Sequence, residues 1–292
     1  MAPVVPVPVV PVPVVPRRIR RASWPAHSLI YAGLAYIVAI IFLLPYIEMI
    51  ISALRPANQM LDRNFLPTSF NAFSFIDIWS TGFGHNLRIS LEVASGSTIL
   101  VLLVAIPAAY YTARQRFRGR AAFMLLVLIT QMFQPTAMLV GIYREFLSFG
   151  MIDTVSSLIL VNAGFNMAFA VWILNAYFSA IPQELEEAAF IDGSTRLGAL
   201  FRITLPLALP GIVTALIFTF IAAWNEFIVA LTLTTSSATE PLTVTLNSYI
   251  GQYQVDWRHL FAGSVIATVP VIILFALIEG KVVGGLTAGS IK

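Results

Sequence analysis

The sequence predicts an all-α membrane protein of six transmembrane helices with both termini in the cytoplasm. Three observations carry that expectation. The 292 residues are 58% hydrophobic and only 11% charged, too little charge to cover a soluble domain of this length. Six apolar segments reach the ~20 residues needed to cross a hydrocarbon core. The Lys and Arg residues sort to alternate sides of those segments. Other classes are excluded by the same composition. There is no cysteine, so disulfides and thiolate metal sites are ruled out. His27, His85 and His259 lie too far apart in sequence to form a local metal motif. The net charge is only +3, with arginines clustered between apolar runs, so no nucleic-acid partner is expected.

Residues 1–27 come first, a Pro/Val-rich tail and a basic anchor. PVVPVPVVPVPVVP places a proline every two or three residues, which forbids a helix and predicts an extended, polyproline-like or disordered segment. It lacks a charged stretch ahead of an apolar one and does not read as a signal peptide. We assign the tail no function; RRIRR after it reads as a cytoplasmic anchor. Residues 28–292 then form one six-span domain. The expected spans are Ser28 to Leu54, Asn86 to Thr112, Ala121 to Ile142, Val155 to Phe178, Leu207 to Leu233 and Leu260 to Gly280. An N-terminus in the cytoplasm puts Arg17, Arg18, Arg20, Arg21, Arg114, Arg116, Arg118, Arg120, Arg196, Arg202, Lys281 and Lys292 on that side. Only Arg55, Arg63, Arg88, Arg144 and Arg258 fall on the other, the asymmetry that sets topology. Pro45, Pro107, Pro135, Pro210 and Pro270 lie in or beside spans, and read either as irregular helices around a pathway or as ordinary packed kinks.

No G-x-x-x-x-G-K-[ST], G-x-S-x-G or H-E-x-x-H motif occurs, so no P-loop, nucleophile elbow or zinc site of those kinds is expected. Energy for uphill movement would have to come from an ion gradient or from another subunit.

The cytoplasmic loop at residues 179–206 interrupts this apolar pattern. It starts IPQELEEAA. Pro182 suits the first position of a helix, and Glu184, Glu186 and Glu187 complement its macrodipole. Leu185, Ala188, Ala189 and Asp192 share one face by spacing. Gly193 stops the helix, and Ser194 caps a second one through Leu197, Leu200 and Phe201 until Pro206 ends it. The result is a helix–turn–helix bracket, either a docking surface for a partner or an amphipathic connector resting on lipid headgroups.

The spacing E-A-A-x3-G-x9-I-x-L-P is met without a gap by Glu187, Ala188, Ala189, Gly193, Ile203, Leu205 and Pro206. It resembles the signature loop of membrane subunits of bacterial ATP-binding-cassette importers. FRGR after the second span, AWNEF in the fifth, the PLT…GQY…DW run and the GLTAG…K ending resemble carbohydrate permeases of the maltose-transporter type, from Ser28 to Lys292. The resemblance implies a type I importer permease fold in the bacterial inner membrane. It also implies a second permease subunit, an ATPase dimer and an extracytoplasmic solute-binding protein as partners, with ATP and Mg bound by the ATPase and no cofactor on this chain. On these residues it makes the bracket a coupling helix. Glu187 would be a polar anchor in the ATPase cleft, Ala188 and Ala189 the close-contact face and Gly193 the turn, with Asp192 and Arg196 beside the docking surface. The Gly285 to Lys292 tail would also touch the ATPase.

For the solute, Trp224, Asn225 and Glu226 in the fifth span are candidate sugar contacts, or else polar ties between helices. Gln131 and Gln134 in the third span, with Asn162 and Asn166 in the fourth, are further cavity candidates. Similar permeases carry an Asn-Ser or Asn-Thr pair at the start of the second span, where this chain has LRISLEVA. Arg88 and Glu92 there can form an ion pair, interfacial or facing solute at the mouth. The rivals are an ion-coupled secondary carrier, for which no internal repeat is visible, and a membrane-embedded enzyme, for which no catalytic constellation is visible.

Overall fold

The computed structural model describes residues 26–60 and 64–288, so the Pro/Val tail, RRIRR and the last four residues lie outside the described residues. Everything described is helix and connecting loop, apart from an isolated bridge between Ile250 and Val255.

The chain divides into two units at Ile47/Glu48. The first holds most of α1 (Ala26–Ala53), whose side chains from Ile30 to Ile47 are exposed all round. Ile30–Ala53 has a mean hydropathy of 2.4; a helix apolar on every face is built for lipid or for other spans.

The second unit is organised on two long helices, α3 (Phe83–Arg114) and α6 (Val155–Ala180). Val101, Ala105, Ala109 and Ala113 recur every fourth residue along α3, and they meet Ala163, Ala170, Leu174 and Phe178 of α6 in one core. Small side chains at that spacing let two backbones approach closely, the chief way helices adhere without water to drive them together. Asn175 adds a polar tie, donating to the Thr112 hydroxyl at 2.7 Å. Thr154 caps α6 by accepting from Ser157 N at 3.2 Å. α10 (Leu209–Trp224) packs against both long helices. Its Gly211 sits so close to α6 that an added Cβ would lie 2.3 Å from Tyr177 Cγ.

A second core joins the N-terminal half of α3 to α13 (Trp257–Ala288), α12 (Leu242–Ser248) and the small α2 (Phe73–Asp77). At the start of α13, Arg258 reaches Asp77 at 3.0 Å, and His259 lies between Asp256 (2.5 Å) and Asp77 (3.3 Å).

Four of the expected spans are continuous helices, shifted at their ends by a few residues. The third and fifth are not. The stretch expected to run from Ala121 to Ile142 is α4 (Arg120–Thr130) and α5 (Pro135–Ser148), bent by 94°. Pro135 is the cause: it drives Gln134 into an extended conformation (ψ 130) and starts a new helix. The stretch expected from Leu207 to Leu233 ends as a helix at Trp224 and resumes as α11 (Ile228–Leu233). It also bends by 76° from the segment Arg196–Leu207 before it, with Pro210 at the start of α10. Pro45, Pro107 and Pro270, in contrast, sit inside unbroken helices.

Candidate functional site

The loop at 179–206 is a bracket as expected, with its details corrected. α7 (Glu184–Ile191) has Gln183 as its N-cap, so Pro182 precedes the cap instead of opening the helix. Glu184, Glu186 and Glu187 do occupy the first turn. Gly193 ends α7 at φ +84. Its N–H bonds Phe190 O at 3.1 Å and the Ser194 N–H bonds Ala189 O at 2.9 Å, the paired bonds of a Schellman motif. Ser194 closes that motif and is not the cap of the next helix: Thr195 is, its hydroxyl accepting from Gly198 N at 3.1 Å. α8 (Arg196–Ala199) continues through a π-helical turn (Leu200–Thr204) into α9 (Leu205–Leu207). Pro206 therefore lies within helix, and the turn away comes after it, at Ala208.

The bracket presents a mixed face. Glu187, Ala188, Asp192 and Arg196 are exposed. Ala189 is not: at 7% exposure it packs inward, leaving Ala188 as the open member of the pair. Around them stand apolar side chains that no described residue covers, Ile191 (87%), Leu197 and Phe201.

The residue that sequence reasoning missed is Glu186. It was read as one of three acids at a helix start, yet it is only 5% exposed. It takes bonds from Tyr110 Oη (2.8 Å), Arg114 Nε (2.8 Å) and Thr204 Oγ1 (2.6 Å). Arg114 Nη2 lies 2.8 Å from the same carboxylate, and Nη1 donates to Ile181 O at 3.0 Å. Burial works against the charge, but the donors from Thr204, Tyr110 and Arg114 outweigh it and hold the Glu186 carboxyl below its ordinary value. A cavity of about 180 Å³ opens beside this cluster, lined by Tyr111, Gln115, Glu187, Phe190 and Arg196 among others. The one available signal was the three-residue step from Glu186 to Ala189, a face alternative to the one that begins at Leu185.

Of the candidate solute contacts, Asn162, Trp224 and Glu226 are brought together. They line a cavity of about 10 Å³ with Ser90 and Pro241, room for no more than about one water. Trp224 is buried and stacked on Phe220 at 5.8 Å, so one face of its ring is already occupied. Glu226 accepts the N–H groups of Val229 (2.8 Å) and Ala230 (3.0 Å), satisfying amides that the break before α11 would leave without partners. Asn162 donates to Leu158 O on its own helix (2.9 Å), and Asn166 to Asn162 O (2.8 Å). Gln131, Gln134 and Asn225 are exposed at the two helix breaks, outside that cavity. Arg88 and Glu92 pair at 2.7 Å and stay open to their surroundings.

The comparisons with known proteins agree on one family. The profile described as "Binding-protein-dependent transport system inner membrane component" matches residues 103–281. The probable ABC transporter permease protein YurM of Bacillus subtilis is 33% identical over 258 residues, 88% of this chain and 85% of the relative. The trehalose/maltose transport system permease protein MalG of Thermococcus litoralis is 33% identical over 263 residues, covering 88% and 94%. Among solved structures, a chain of a bacterial ABC transporter involved in import of the acidic polysaccharide alginate matches with a TM-score of 0.76 at 23% identity, covering 87% of this chain and 95% of that one. That likeness establishes the shared fold.

Proposed function

Because this chain belongs to the family of binding-protein-dependent transport system inner membrane components, we propose that it is the permease subunit of an ATP-driven importer carrying a sugar or sugar-like solute inward by alternating access. The observation that carries the coupling half of this reading is the bracket itself. A capped helix stands outside the spans with Glu187, Ala188, Asp192 and Arg196 exposed among uncovered apolar side chains. Such a surface, apolar with a few charges, suits a protein partner better than water. The partner is the ATPase dimer, which binds ATP and Mg; this chain contributes no cofactor and no hydrolytic group. Residues 179–206 and both termini then lie in the cytoplasm.

A second permease completes the pathway, and an extracytoplasmic binding protein delivers the solute; the family's description supports the binding-protein dependence. Closure of the ATPase dimer moves the bracket, and the bracket moves the spans. The sugar class is supported by relatives such as the trehalose/maltose permease and the trehalose permease SugB of Mycobacterium tuberculosis, 30% identical over 94% of this chain.

The test is capture of the full chain from its native membrane, followed by reconstitution. A second six-span chain and a nucleotide-hydrolysing dimer should come with it, and uptake should require ATP and the loaded binding protein. Uptake by this chain alone, driven by an ion gradient, would overturn the reading.

A further inference from the structure

We propose that Glu186 and Arg114 form the strut through which movement of α7 reaches the spans, making them positioning residues for coupled transport. The inference deepens the docking role of residues 179–206 and rests on it.

The argument starts from how little else holds α7. Leu185, Phe190 and Ile191 point outward, and Ala189 is its buried apolar residue. An alanine offers a small contact that can slide; the grip on α7 is therefore polar. Glu186 lies on the side opposite the exposed surface, and its carboxylate collects donors from two other parts of the chain. Tyr110 and Arg114 come from the end of α3. Thr204 comes from the π-helical turn that leads through α9 into the bend before α10. Arg114 adds the end of α6 through Ile181 O. One carboxylate thus joins α7 to three spans.

Hydrogen bonds to a charged group are short and directional, so this node fixes the angle between α7 and α3 as well as their distance. Apolar packing would hold α7 without the cost of desolvating two charges. What the ion pair adds is geometry: a tilt imposed on α7 is passed to the end of α3 and to the bend before α10 instead of being lost in slippage.

The experiment uses the complete transporter, with both permeases, ATPase and binding protein, in proteoliposomes, and reads ATP hydrolysed per solute imported. Glu186→Gln should raise that ratio about tenfold, the scale of one charge-assisted hydrogen bond, in complexes that keep their ATPase. Glu186→Asp should recover part of the loss. Tyr110→Phe and Thr204→Val, which each remove one hydroxyl and little volume, should raise the ratio less than Glu186→Gln does. A wild-type ratio in assembled Glu186→Gln complexes overturns the proposal. So does loss of the ATPase from all four variants, since the node would then support docking alone. If the unaltered chain binds no ATPase, the docking role falls first; if it binds and the ratio never changes, only the strut falls.

Discussion

Replacing Gly193 separates backbone strain from crowding, because an added Cβ there meets nothing within 4 Å while φ stands at +84. The cost of Gly193→Ala is therefore that of holding an L-residue in the left-handed region, about 1–2 kcal/mol. That energy falls on the two Schellman bonds, Gly193 N–H to Phe190 O and Ser194 N–H to Ala189 O. Local opening should rise by roughly 5–30-fold, read as faster hydrogen–deuterium exchange over residues 189–194 in the purified transporter. Gly193→Asn should exchange more slowly than Gly193→Ala, since asparagine tolerates this conformation. Gly193→Val should exchange fastest, because β-branching deepens the strain. Solute uptake should fall in the same order. Exchange and uptake at wild-type levels in Gly193→Ala would refute the reasoning, for then the glycine would serve neither the turn nor the orientation of α7.

Gly211→Ala should act by the opposite route, crowding Tyr177 of α6 and lowering stability in detergent by about 1–3 kcal/mol. Pairing it with Tyr177→Ala should relieve part of that loss, and no relief would argue against a steric cause. Asp153 accepts from Thr235 N (3.0 Å), Ser236 N (3.1 Å) and the Thr239 hydroxyl. The backbone N–H of Thr235 and the Thr239 hydroxyl lead in holding its carboxyl below the ordinary 3.8. A lowered value means the stabilisation is complete above that pH and is lost as pH falls through the folded-state value. The protection factor of the 234–239 loop, with the intrinsic pH dependence of amide exchange divided out, should therefore stay flat from neutral pH to about pH 4 and fall only in stronger acid. Asp153→Ala, partly screened by solvent, should loosen that loop by about 1 kcal/mol at neutral pH. Glu226→Gln should leave the apparent affinity for solute unchanged, because its carboxylate faces the start of α11. A tenfold weaker affinity would restore it as a solute contact.

Local chemistry was readable in the sequence wherever one residue dictates one conformation. Apolar length located the four unbroken spans, and Gly193 marked the end of α7. Hydropathy could not place the breaks at Gln131–Gln134 and Asn225–Phe227, because a window averaged over about 20 residues is blind to a bend between two apolar pieces, such as the 94° between α4 and α5. Pro135 and Pro45 look alike in sequence, yet one starts a helix and the other stays within one. Glu186 was hidden differently. In ELEE three carboxylates stand within four residues, and the partners that distinguish the buried one lie 76 and 18 residues away in Tyr110 and Thr204. Trp224 and Glu226 stand out in sequence as polar or bulky groups in an apolar stretch, but the same two residues serve solute binding or helix joining equally well until their partners are visible.

The cavity where Asn162, Trp224 and Glu226 meet is sealed down to about 10 Å³. That cavity is too small to admit a sugar. Gln131, Gln134 and Asn225 face outward at the two helix breaks instead, and under the proposed function such outward groups would form one bank of a channel whose other bank is the second permease. On that reading selectivity is a joint property: a new neighbour would alter what crosses the membrane without a single substitution here.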